Sequence, residues 1–205
     1  MLHIYIARHG QDEDNANGIL NGHRDMPLTE LGKKQAKQLA QKIKNTGIQI
    51  HKAYSSPLQR AYITGKTITD ILKIAPPEKM NLLIERDFGN MTGRLIKDVH
   101  TLPSNKLIKT DTITYFLSAP WSENFPQTIK RANKALEYIK KHNKEGNILI
   151  TTHGDFGKML YTAYYWLNWK DVLMKFHFGN SELLLLSPDI EPNQAHMFFT
   201  QQYNH

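Results

Sequence analysis

Leu2-His3-Ile4-Tyr5-Ile6-Ala7-Arg8-His9-Gly10 opens the chain with apolar residues at alternate positions and ends on two basic side chains and a glycine. Alternation with period two is the mark of a strand. Residues 2–7 are therefore expected to carry Arg8, His9 and Gly10 to a strand's C-terminal edge. The same device returns further along. Residues 53–55 read as a short strand, and Ser56-Pro57 as an N-cap followed by proline at the first helical position. Leu58, Ala61, Tyr62, Ile68 and Leu72 give that helix an apolar face, and it should stop before Pro76-Pro77. Ile148-Leu149-Ile150-Thr151 is an unbroken apolar strand running into His153-Gly154.

Helical patterns fill the gaps. Thr29 is a good N-cap for a helix with Leu31, Leu39 and Ile43, closing near Gly47. Ile129, Ala132, Leu136 and Ile139 mark another, ending at Gly146, and residues 156–167 a further one. Residues 80–84 read as a strand handing over to Glu85. Residues 182–187 and 195–200 read as a hairpin, and residues 100–126 as loop with short helical pieces. Strands alternating with helices imply an α/β fold: a three-layer sandwich whose mostly parallel central sheet has an antiparallel edge and helices on both faces. No repeat or linker interrupts the chain, so one domain over residues 1–205 is expected, with residues 100–126 as a variable substrate-region insertion.

Composition narrows the chemistry. The 205 residues include no cysteine, which removes disulfides, thiolate metal sites and a cysteine nucleophile. No apolar run approaches membrane-spanning length, and residues 1–6 are too short for a signal peptide. A cytoplasmic setting without membrane attachment is expected. The net charge of +7 suits anionic partners. Its lysines are dispersed over helix-like stretches and no nucleic-acid motif is present, so nucleic acid is not the expected partner.

In open α/β sheets ligands bind beyond the C-terminal ends of the strands. His9, Glu85 and His153 each follow an expected strand, and Arg60 lies in the turn after one, so the four can converge. Taken singly, each has an ordinary structural explanation. Together they match what removal of a phosphoryl group requires: a nucleophile, cations for the equatorial oxygens, and an acid for the leaving oxygen. Arginine binds two phosphate oxygens at once, and a neutral imidazole nitrogen is a competent nucleophile.

Arg8-His9-Gly10, followed by Asn15, Gly22, Pro27-Leu28-Thr29, Gly32 and Gln35-Ala36, resembles the opening signature of the histidine phosphatase superfamily, branch 1, the phosphoglycerate-mutase-like proteins. Ser55-Ser56-Pro57-Leu58-Gln59-Arg60-Ala61 is similar to its second phosphate-binding segment, residues 83–89 to its acid segment, Thr152-His153-Gly154 to its second-histidine motif, and Gly179-Asn180-Ser181 to its late asparagine. The resemblance implies a metal-independent phosphatase with no cofactor. His9 would be the nucleophile that becomes phosphohistidine, and Glu85 the proton donor, later the base for water. Arg8, Asn15, Arg60 and His153 would bind the phosphoryl group, whose two negative charges should favour protonated His153 and protonated Glu85.

Three positions depart from the pattern. Asp12 stands where Ser or Thr is usual, Thr92 where many members have Glu, and Glu123 has unfamiliar neighbours. Mutases of this kind carry a paired-arginine segment, whereas this chain has Lys106 and Lys109 there, which favours hydrolysis over phosphoglycerate-mutase-type phosphotransfer. A non-catalytic phosphate-binding or interaction module would be expected to lose His9 or Glu85. The expected partner is a small phosphorylated metabolite, such as a sugar phosphate or the cobalamin-pathway nucleotide phosphate, or else a phosphoprotein. A homodimer is compatible with the reading.

Overall fold

The computed structural model describes residues 1–111 and 113–198. In chain order its strands and α-helices are β1 (Leu2–Arg8), α1 (Glu13–Ala16), α2 (Glu30–Asn45), β2 (Lys52–Ser55), α3 (Gln59–Leu72), β3 (Glu78–Lys79), β4 (Leu107–Lys109), β5 (Thr114–Phe116), α4 (Phe125–His142), β6 (Gly146–Thr152), α5 (Gly154–Tyr165), α6 (Trp169–Lys175), β7 (Leu183–Leu186) and β8 (His196–Phe198). Six strands form a sheet in the order β3-β2-β6-β1-β7-β8. The first four run parallel, and β7 and β8 add an antiparallel edge.

Alternation in β1 and β6 explains the layers. Ile4, Ile6, Ile148 and Ile150 enter one core with Ala132 and Leu136 of α4 and Phe156 and Met159 of α5. Tyr5, Ala7 and Leu149, one residue out of step, enter the other with Leu39 and Ile43 of α2 and Ile68 of α3. The expected three-layer α/β sandwich is the observed one. A register slip of one residue would exchange these two sets of side chains. The pairing of Ile6 with Ile150 and Arg8 with Thr152 is therefore held by packing on both faces.

Four local expectations need correction. The helix after β2 starts at Gln59 with Leu58 as its N-cap, not at Pro57, and the Ser56 hydroxyl accepts from the Leu58 N–H at 3.3 Å while also bonded to His153 at 2.7 Å. Residues 80–84 are not a strand. After the two-residue β3, Met80 N–H donates to the Ser55 carbonyl at 2.8 Å, and Asn81–Leu83 coil into a 3-10 turn. Fully buried Leu83 anchors that turn, a contact that contributes about 1.5–3 kcal/mol. Within residues 100–126 the hairpin β4–β5 forms a separate two-stranded sheet, with Leu107 opposite Phe116. It packs Phe116 with Phe88, Met91 and Val99 in a third cluster. Finally, α6 was not foreseen, and it stacks Trp169 on Phe125 at 5.3 Å. The expected second strand of the C-terminal hairpin is β8, and residues 199 and 200 lie outside the described residues.

Candidate active site

Strand pairing continues one residue beyond β1 and places the first histidine. His9 N–H donates to the Thr152 carbonyl at 3.0 Å, and the Asn180 side-chain amide holds the His9 carbonyl at 2.9 Å. The ring is 2% exposed. Its Nδ1 lies 2.7 Å from the Gly10 carbonyl, which can only accept. Nδ1 therefore carries the proton, and Nε2 keeps its lone pair. Arg60 Nε–H points at that Nε2 from 3.3 Å. Burial first, then the charges of Arg60 and Arg8, lower the His9 imidazole well below its usual value, so the ring is neutral.

Backbone contact fixes the loop that follows. A Cβ on Gly10 would lie 2.3 Å from the Gly32 carbonyl oxygen, and a Cβ on Gly32 only 2.0 Å from that of Gln11. The first turn of α2 thus docks on the loop through two glycines, and neither position has room for a side chain.

Arg60 is fully buried in the first turn of α3. Its Nη1 donates to the Arg24 carbonyl at 2.5 Å and its Nη2 to that of Gly22 at 2.8 Å. The carboxylate of Asp12 lies 3.1 Å from its Nε. Asp12 is itself fully buried, capping α1 through the Asn15 N–H at 2.7 Å and accepting from Asn21 at 2.7 Å. Burial raises its pKa, and Arg60 is the strongest force opposing that rise. The unusual residue thus stands as the counter-ion of Arg60. Thr92, the second departure, lies beside Gly22, 3.1 Å from where its Cβ would be.

Arg8 donates from Nη1 to the Phe178 carbonyl at 2.6 Å. Its Nε is buried with no partner among the described residues, as is Nδ1 of His153. The rings of His9 and His153 meet edge to face at 5.1 Å. Burial, followed by Arg60, His9 and Arg8, lowers His153 well below the usual imidazole value. His23 adds a fifth, smaller push in the same direction, so the expected charged form requires a dianion whose field outweighs all five influences. Asn15 accepts from Asn180 at 3.3 Å through its own side-chain oxygen.

Glu85 arrives on the loop after the 3-10 turn, 5% exposed. Its Oε1 accepts from Arg86 N–H at 2.8 Å and Phe156 N–H at 2.9 Å, and its Oε2 from Asp155 N–H at 3.3 Å. It therefore sits against the first turn of α5. Burial, then the charge of Asp155, raises its pKa despite those N–H groups. Asp155 itself shifts down: burial acts against this, but Arg86, Lys158 and Arg8 outweigh it. One carboxyl is pushed toward the acid form and its neighbour toward the ion.

Two arginines that the sequence reading did not assign to the site brace this loop. Arg131 of α4 donates to the carbonyls of Leu82, Ile84 and Glu85 at 3.0, 2.6 and 3.2 Å, and its guanidinium pairs with Glu123 at 2.5 Å. This gives the third departure a structural task. Arg86 pairs with Asp155 at 2.9 Å and lies between the rings of Phe88, Phe116 and Phe125 at 4.2–4.8 Å. No local pattern marks either, since Arg86 lies between Glu85 and Asp87 and Arg131 follows Lys130. The partners themselves are distant in sequence.

Arg8, Asn15 and Glu85 share one cleft of about 120 Å³ with residues of the β4–β5 hairpin. Arg60, His9 and His153 are tied to it through the contacts above. All six residues singled out in the sequence are thus gathered at the C-terminal rim of β1, β2 and β6.

The sequence comparisons show the kinship, and the solved structures share the fold. The profile of the histidine phosphatase superfamily (branch 1) matches residues 4–198. A 2,3-bisphosphoglycerate-dependent phosphoglycerate mutase of Bartonella henselae is 29% identical over 174 residues, covering 83% of this chain and 84% of that protein. The enzyme of the same name from Brucella ovis is 30% identical over 164 residues, covering 78% and 80%. Among solved structures, YhfR of Bacillus stearothermophilus superposes with a TM-score of 0.78 at 21% identity over the full length of both chains. A phosphoserine phosphatase from Entamoeba histolytica gives 0.74 at 24% identity, covering 90% of each. The chain belongs to the histidine phosphatase superfamily, branch 1, which includes both phosphatases and mutases.

Proposed function

We propose that this member of the superfamily hydrolyses phosphomonoesters through a phosphohistidine formed on His9. The observation that carries the reading is the orientation of one ring. Nδ1–H of His9 is committed to the Gly10 carbonyl, leaving the Nε2 lone pair toward Arg60 in a buried site where the imidazole stays neutral. In the first step Nε2 attacks phosphorus and the bond to the ester oxygen breaks. Glu85, raised toward its acid form, gives its proton to that oxygen. In the second step the Glu85 carboxylate takes a proton from a water that attacks the phosphohistidine, and the nitrogen–phosphorus bond breaks.

Arg8, with an uncommitted Nε–H, and Arg60, His153 and Asn15 hold the phosphoryl oxygens in this scheme, without a metal. The substrate is a small phosphorylated metabolite. Rapid-quench mixing with a phosphorus-labelled ester should trap an acid-labile, alkali-stable phosphoenzyme in the parent chain and none in His9→Ala. Equal labelling of the two would remove His9 from the mechanism, and loss of turnover on adding a chelator would contradict the metal-free scheme.

The names of the curated relatives favour a second reading, phosphoryl transfer between phosphoglycerates. Against it, neither Lys106 nor Lys109 lines the cleft, and Lys109 is exposed. Following labelled phosphate in the presence of phosphoglycerate separates the two, since hydrolysis releases inorganic phosphate and mutase action retains it on the glycerate.

A further inference from the structure

The part of the cleft away from His9 has a character of its own. Ile19 and Leu20 form one wall, Ile96 a second, and Ile113, Tyr115 and Phe116 of the β4–β5 hairpin and its turn a third. The first two walls are zipped together by backbone hydrogen bonds: Leu20 N–H to the Arg94 carbonyl at 2.8 Å, Gly93 N–H to that of Leu20 at 2.7 Å, and Ile96 N–H to that of Gly18 at 2.8 Å. Side chains from three separate segments thus leave half-buried aliphatic surface facing a common space, which is the usual make-up of a small-molecule pocket.

Thr114 and His177 also line the cleft, while the other polar side chains on this side, Asn21, Arg86, Asp155 and Lys158, are spent on partners. Lys158 donates to the Tyr115 hydroxyl at 2.8 Å and lies 3.8 Å from Asp155. Arg86 holds Asp155 at 2.9 Å, and Asn21 donates to Asp12. The cleft of about 120 Å³ also holds the phosphoryl end at Arg8, Asn15 and Glu85, so the room left against these walls suits only a short hydrocarbon group.

We infer that this pocket receives the leaving alcohol, and that the substrates are phosphomonoesters of small, largely apolar alcohols in preference to polyhydroxylated ones. The inference deepens the hydrolase reading and rests on it for the position of the phosphoryl group. Ile96 and Ile113 are the specificity-determining residues. Burying one methylene contributes about 0.8 kcal/mol, and a hydroxyl set against the Ile96 or Ile113 side chain loses its water without gaining a partner there.

The test uses non-hydrolysable ligands, so it does not depend on turnover. Calorimetric titration of the full chain should show butylphosphonate binding about tenfold or more tighter than dihydroxypropylphosphonate. Ile113→Asn and Ile96→Asn, on different segments and both only half-buried, should each cut that ratio to below about threefold. The assignment is overturned by a ratio near one in the parent chain or by a ratio unchanged in both variants. It is also overturned if a butylphosphonate with a terminal carboxylate binds about tenfold tighter than the plain one, since Lys158 would then be reading an anion. A preserved ratio without any phosphoenzyme on His9 would sink the hydrolase reading and leave the apolar pocket standing. The opposite pattern would sink the pocket and leave the chemistry.

Discussion

The two halves of the cleft are built in different ways. The phosphoryl side, with Arg8, His9, Arg60 and His153, hangs on the ends of three parallel strands and the first turns of α3 and α5. Its side chains are locked by ladder hydrogen bonds and by backbone carbonyls spent on Arg60. The leaving-group side, from Glu85 to Glu123, consists of 3-10 turns and one isolated hairpin, held by Arg86 and Arg131. One side gets its rigidity from regular structure, the other from buried cations. In the proposed hydrolysis, the step common to all substrates would thus sit on the part least able to vary, and the discriminating step on irregular backbone.

The sharpest way to break this division is at its strand-borne centre. His9→Ala should lower turnover of any phosphomonoester by about four orders of magnitude, since the nucleophile has no substitute; steady-state assays with excess enzyme would detect a residue of activity large enough to refute this. On the loop side, Arg131→Met leaves Glu123 and three carbonyls without their cation. Breaking a buried pair costs 3–5 kcal/mol, and side chains 16% and 17% exposed put this one near the lower end, at about 3 kcal/mol. Urea unfolding measures it, and a loss under about 1 kcal/mol would mean that Arg131 is not a brace.

Glu85→Gln should slow alkyl phosphates by about a hundredfold and aryl phosphates with good leaving groups much less. Equal slowing of both would remove Glu85 as leaving-group acid. In the parent chain the alkyl rate should fall as pH rises through the raised Glu85 value, because the acid form is lost. On the acid side, the lowered His9 value puts loss of the nucleophile well below pH ~6.5. The linked stability follows the same sign. A neutral buried imidazole contributes stability present above the unfolded value and lost as pH falls toward the folded one.

The smallest effect is expected at Asp12. Asp12→Ser removes the counter-ion of Arg60 and one negative charge near the phosphoryl group, so inorganic phosphate should inhibit about tenfold more strongly. The variant should also lose stability that added phosphate restores. Unchanged inhibition would show that Asp12 exerts no field on the ligand.

Legibility in the sequence follows the same boundary. The strand-borne residues could be read because β1 alternates and β6 is an unbroken apolar run, and Arg8, His9 and His153 sit where those strands stop, whereas Glu85 follows a 3-10 turn and not the expected strand. The layers, the antiparallel edge and the convergence of His9, Arg60, Glu85 and His153 were all legible. The roles of Arg86, Arg131 and Asp12 were not, because each is defined by a partner far away in sequence: Asp155, Glu123 and Arg60. Ser56 was legible as a local acceptor, which it is for the Leu58 N–H, but its tertiary bond to His153 was not. The hairpin was hidden by its size. Three-residue strands such as Leu107–Lys109 are too short for period two to stand out from a loop.

That hairpin also bears on how such a protein can be altered. Among the described residues, β4 and β5 pair with each other and with no strand of the six-stranded sheet. Residues can therefore be added or removed in matched pairs at its tip, or a different hairpin grafted between Lys106 and Leu117, without shifting the register that positions His9. Retailoring the chain is in effect a cassette exchange, with Phe116 against Phe88 and Tyr115 against Phe125 and Lys158 as the joints to preserve.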